Sequence, residues 1–234
     1  MAKTIDNINK VYDRVRFNIT DSKDSCVVDE SNPVKLRHLV IKSAGADFHC
    51  MKTDYVKDLK CMTEKRSSRL KDSNCDGIAF VDDCVDKEHL VFAELKSCEP
   101  DSKLDEALNQ IIHSFFKCHG LFSLCDGYDI DNYTIDFVLA CSSPRNYEEK
   151  EAEFLSVINS NDELGKADND YRFSIDLLPY LFISETKSLK FRLKEMHCVS
   201  GLPLHKGILN KEIALHLALA DCNTPDMAML DLPF

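Results

Sequence analysis

The sequence predicts a mixed α/β fold, and three observations carry that reading. Short apolar runs at Gly77–Val81 and His89–Leu95 flank the polar run 82–88, which is a hairpin pattern. Residues 102–117 place Leu104, Ala107, Leu108, Ile111, Ile112, Phe115 and Phe116 at the spacing of an amphipathic helix. Tyr133–Ala140 then reads as a buried strand. Hairpins precede helices with no regular βαβ repeat. The chain has 234 residues, 44% of them hydrophobic, which suffices for one domain with a sizeable core. That domain is expected to cover 1–222, with 223–234 a loose or externally docked tail.

Each element has its own signal. Ile5, Ile8 and Tyr12 suggest a weak amphipathic helix over 4–12. Segments 14–20 and 34–42 cluster apolar residues as strands do, and the polar run 21–25 and Pro33 mark turns. Tyr55, Val56, Leu59 and Met62 align on one face of a helix over 52–66. In the helix at 102–117, Ser102 is the expected N-cap, Asp105 and Glu106 lie in the first turn, and Gly120 follows the end. Beyond Ala140 the pattern predicts a helix at 147–159, a polar loop at 160–170 and a strand near 172–183. An alternating strand at 188–195 and a final helix at 209–220 complete the chain.

Composition narrows the functional classes. No stretch approaches the ~20 apolar residues of a membrane span, and MAKTIDNINK lacks the apolar core of a signal peptide. A cytoplasmic protein is expected. The eleven cysteines contain no C-x-x-C pair, and their odd number argues against a disulfide framework. Cys98, His113, Cys118 and His119 match no metal-ligand spacing, and the two histidines read as surface residues. The net charge of −11 disfavours nonspecific adhesion to nucleic acid. Local basic patches at Lys60, Lys65, Arg66, Arg69 and Lys71, and at Lys187, Lys190, Arg192 and Lys194, are candidates for phosphate contact. The alternative for either patch is solvated surface.

The chemistry concentrates in the hairpin. Glu94 and Lys96 are two apart in a strand and so share a face, while Val91, Ala93 and Leu95 face the other way. A turn centred near Val85 makes Asp76 and Glu94 equidistant from it, hence opposed across the ladder. Two opposed carboxylates repel, and a divalent cation removes that penalty. Hard oxygen ligands suit magnesium, which takes one or two carboxylates with water and substrate phosphate. Lys96 beside them is placed to hold a water or to neutralise charge on a phosphate. The alternatives are an Asp76-Gly77 turn and an edge-strand charge pair at Glu94 and Lys96.

Asn74-Cys75-Asp76-Gly77-Ile78 and Val91-Phe92-Ala93-Glu94-Leu95-Lys96-Ser97, with the following helix and strand, resemble the PD-(D/E)XK, or restriction-endonuclease-like, nuclease superfamily over residues 50–142. The resemblance implies a four-stranded mixed sheet flanked by helices. Outside it the chain has no family assignment, and N-terminal strands over 1–49 and a C-terminal α/β extension over 143–222 are expected to pack on that core. The resemblance also implies roles: Asp76 and Glu94 as ligands of Mg2+ or Mn2+, the Leu95 carbonyl as an extra ligand, and Lys96 as the residue that orients or activates water. Gln110 resembles a glutamine carried on the following helix in some branches, although a helical wheel alone places it with Glu106, His113 and Lys117 on a solvated face. No proline precedes Asp76 as in the family's name, and the upstream acid of many members has two candidates, Glu64 and Asp54. The implied activity is phosphodiester hydrolysis of DNA leaving a 5′-phosphate, in defence, restriction or repair. A scaffold or regulatory subunit controlled by a protein partner is the alternative, and a homodimer is conceivable for double-strand cleavage.

Overall fold

The computed structural model describes residues 19–30, 35–52, 74–82, 88–97, 104–142, 173–177, 188–196, 211–220 and 223–232. They form nine strands and, among the described residues, one α-helix: β1 (Ile19–Asp29), β2 (His38–Lys52), β3 (Gly77–Asp82), β4 (Glu88–Lys96), α1 (Leu104–Phe122), β5 (Tyr133–Cys141), β6 (Phe173–Leu177), β7 (Ser188–Met196), β8 (Glu212–Leu219) and β9 (Met227–Asp231). The sheet order is β1-β2-β3-β4-β5-β8-β7-β6, with β9 added to β2. Strands β4, β5 and β8 run parallel, β9 runs parallel to β2, and the remaining pairs are antiparallel.

This architecture corrects the expected four-stranded mixed sheet flanked by helices. The described residues are dominated by one nine-stranded sheet. One cause lies at 209–220, expected as a helix, where residues 212–219 form β8. Ile213, Leu215 and Leu217 join the core on the α1 side, while Ala218 packs on the opposite face. The Ala- and Leu-rich composition favours a helix locally, but a place beside the buried strand β5 overrides it. The second cause is the length of the N-terminal strands. The run 21–25, expected as a turn, lies inside β1 as a register shift between Lys23 and Ser25, with Asp24 at φ 63. β2 extends the expected 34–42 strand to Lys52. The expected tail contains β9, paired with His38–Lys42. The expected strand near 172–183 is described as β6, Phe173–Leu177, and that at 188–195 as β7. The helices expected over 4–12 and 147–159, the loop 160–170 and nearly all of 52–66 lie outside the described residues.

The two faces of the sheet bury two cores. On one, Phe92, Phe115 and Phe137 meet edge to face with centroids 5.5–5.9 Å apart, so α1 is held on β4 and β5 by aromatic packing. The helix continues past Gly120 to Phe122, whose ring packs on Phe80 and Tyr128. On the other face, Leu39, Ile41 and Phe48 of β2 and Leu230 of β9 cover Val91, Ala93, Leu95 and Val138. Here a buried polar cluster joins three strands. Asp136 of β5 receives His89 Nδ1 of β4 and His216 Nε2 of β8, each at 2.8 Å. Burial pushes the Asp136 carboxyl up, but these two bonds outweigh it and hold the group below its usual range.

The Val28 side chain of β1 packs closely on Gly77 at the start of β3. A Cβ added to Gly77 would lie 2.5 Å from both Cγ atoms of Val28. Only glycine admits that contact, and it brings the end of β1 over the residue that follows Asp76.

Candidate active site

The β3–β4 ladder pairs Gly77 with Ala93 and Asp82 with Glu88. That register is symmetric about Val85 and, continued by one residue, sets Asp76 opposite Glu94. Asp76 lies just before β3, where its N–H donates to Ala93 O at 2.9 Å. Its Oδ2 accepts the Leu95 N–H at 2.7 Å. Leu95 therefore contributes a backbone donor that seats Asp76, while its side chain is buried in the core opposite α1.

β4 lies between β3 and β5 in the interior of the sheet, so Glu94 and Lys96 are not an edge-guarding pair. Glu94 is 1% exposed. Its Oε1 pairs with Lys96 Nζ at 2.6 Å, and a side-chain hydrogen bond also joins its carboxyl to Asp76. Lys96 Nζ also donates to Gln110 Oε1 of α1 at 2.5 Å. The helix thus brings Gln110 to the site, although helical periodicity alone placed it in solvent.

The electrostatics follow from burial. Desolvation pushes the Glu94 carboxyl up to about 9, with Asp76 adding to the shift and Lys96 opposing it. Desolvation likewise pushes Asp76 up to about 6, against the Leu95 N–H bond. Burial works against the charge of Lys96, but Glu94, with Glu106 and Asp76, outweighs it and holds the ammonium above its ordinary value. At neutral pH the group is therefore an ionised Asp76, a protonated Glu94 and a charged Lys96.

Sequence reasoning missed four neighbours. Glu30, at the end of β1, raises both Asp76 and Glu94 by its charge. Alternation gives the available signal: Cys26 and Val28 are buried on one face of β1, and Glu30 continues that series. Asn74, Ser114 and Lys117 are also buried beside the site. Lys117 Nζ donates to Asn74 Oδ1 at 2.9 Å, and Cys75 N–H donates to Ser114 Oγ at 2.7 Å. His113 and His119, read as surface residues, are 3% and 5% exposed. His119 Nδ1 lies 3.0 Å from Tyr128 OH. The polar stripe of α1 is covered because it faces the segment 74–76 and Lys96 rather than solvent.

The basic patch at Lys65, Arg66, Arg69 and Lys71 lies outside the described residues, as do Lys60, Glu64, Asp54 and Lys187. In the second patch, Lys190 and Arg192 pair with Glu212 at 2.6 and 3.7 Å, so their charge is partly neutralised.

The donor set fits a hard divalent cation in one respect: two carboxyl groups, Asp76 and Glu94, lie side by side in a buried place. Among the described residues, no group of three or more His, Cys, Asp or Glu is arranged to hold a metal ion, Cys118, His113 and His119 included. Two carboxylates remain within what magnesium takes from proteins. Comparison with known proteins returns no matching family model, no matching curated protein and no matching solved structure. Among the described residues, no helix is long and apolar enough to cross a membrane.

Proposed function

We propose that the chain is a magnesium-dependent nuclease acting on DNA, with Asp76, Glu94 and Lys96 as its catalytic group. The observation that carries this reading is the burial of Glu94 directly beside a second carboxylate, Asp76. Two buried acids side by side are costly to ionise, and a cation shared between them would give the arrangement a use. The resemblance of Asp76…Glu94-Leu95-Lys96 to the PD-(D/E)XK motif supports the same assignment. Asp76 and Glu94 would hold Mg2+ or Mn2+, with the Leu95 carbonyl as a further ligand. The ion would supply Lewis-acid stabilisation of the phosphate and a more acidic water. Lys96, held by Gln110, orients the attacking water and offsets charge on the phosphate. The Leu95 N–H keeps the Asp76 carboxylate turned toward Glu94. Lys65, Arg66, Arg69 and Lys71 would follow the DNA backbone. A cytoplasmic setting, and a role in defence, restriction or repair, accord with this reading.

The test is incubation of the purified protein with plasmid, linear and single-stranded DNA, with and without Mg2+, beside Lys96→Ala. EDTA-sensitive cutting that falls at least about 100-fold in the variant is expected. Absence of cutting by the wild type on every substrate would instead favour a scaffold or regulatory subunit controlled by a protein partner.

A further inference from the structure

Lys117 is fully buried on α1 at 0% exposure. Burying a lysine amine away from water is costly, so its location calls for a reason. Its Nζ donates to Asn74 Oδ1 at 2.9 Å. One residue later, Cys75 N–H donates to Ser114 Oγ at 2.7 Å. One residue later again, Asp76 N–H donates to Ala93 O at 2.9 Å. Three consecutive residues are thus each tied down, two to α1 and one to β4. Ser114 and Lys117 are three apart, so they lie on one face of the helix in successive turns.

We propose that Lys117 and Asn74 are positioning residues: their buried bond fixes the segment 74–76 against α1 and so seats the Asp76 carboxylate on the Leu95 N–H, facing Glu94. The seating follows from the hydrogen bonds alone. Its consequence for cation binding rests on the nuclease reading above. Lys117 acts through Asn74 and need not touch substrate or metal.

The test compares Lys117→Met, which keeps most of the side-chain volume without the donor, with Asn74→Leu and with Asn74→Asp, which keeps an acceptor. Asp76→Ala serves as the reference. Two readouts are taken on each protein whose thermal melt remains cooperative: Mn2+ affinity by electron paramagnetic resonance, and the Leu95 amide resonance by 1H–15N NMR. Lys117→Met and Asn74→Leu should bind Mn2+ roughly 10–100-fold more weakly, and should move the Leu95 amide to its position in Asp76→Ala. Asn74→Asp should keep both readouts near wild type. A merely structural lysine would lower the melting temperature and leave the Leu95 amide where it was. An unmoved Leu95 amide in folded Lys117→Met or Asn74→Leu overturns the proposal. Wild type that fails to bind Mn2+ sinks the nuclease reading, and the amide shift then decides the positioning role by itself.

Discussion

Glu94→Gln should make the metal-free protein more stable, by an amount that grows with pH. The wild-type carboxyl titrates at about 9 rather than at the ordinary 4.5. A carboxyl raised in the folded state contributes nothing unfavourable below its unfolded value. Above that value, the unfolded chain ionises while the folded chain holds its proton. Stability then falls by about 1.4 kcal/mol per pH unit until the folded value is reached. By pH 7 the wild type has lost about 3 kcal/mol on this account. Glutamine has the shape of the protonated acid and its carbonyl still accepts from Lys96, so the variant avoids that loss. Urea unfolding at pH 5, 7 and 8.5 measures the difference. Near pH 5 the two proteins should be close, and by pH 8.5 the variant should lead by more than at pH 7. Added Mg2+ should stabilise the wild type, with release of a proton, and leave the variant nearly unchanged. A variant less stable than wild type by the same amount at every pH would refute the reasoning, because the Lys96–Glu94 pair would then be a stabilising ion pair.

Two further substitutions probe the frame around the site. Gly77→Ala drives a methyl into Val28 and should cost about 1–3 kcal/mol in urea unfolding, a penalty that Val28→Ala should relieve. Asp136→Asn removes the carboxylate between His89 and His216 and should cost about 3 kcal/mol near neutral pH. Because the Asp136 value is depressed in the fold, its stabilisation exists above the unfolded carboxyl value and is lost as pH falls through the folded one. The variant should therefore show a shallower acid limb in a plot of stability against pH.

The local pattern around the site was readable because a strand's period is two and a hairpin's centre fixes its register. Placing Val85 at the centre sufficed to oppose Asp76 and Glu94, and the ladder has that register. The amphipathic helix was readable for the same kind of reason, since its aromatic stripe faces a core. The breadth of the sheet was not. Residues 212–219 carry helix-forming composition, and β9 sits in a segment with prolines near both ends. Each is a strand because a neighbouring strand has a free edge for it, which no window of sequence displays. The burial of Ser114 and Lys117 was hidden likewise. A polar stripe on a helix signals solvent unless another polar segment covers it, and the cover here is 74–76, far away in the chain.

The decisive question about Glu94 and Lys96 is which effect wins. Were the lysine present to satisfy the glutamate, its ammonium at 2.6 Å would dominate and the carboxyl would titrate below 4.5. Desolvation together with the repulsion from Asp76 instead pushes it up, exceeding the attraction of Lys96. Lys96 pairs with Oε1, and ionising Glu94 would set two buried carboxylates side by side. Such an arrangement lowers stability at neutral pH, and a fold tolerates that where strain is part of function. A divalent cation between Asp76 and Glu94 would reverse the sign of both unfavourable terms. The Lys96 ammonium would then be freed from compensating a buried acid and available to a phosphate.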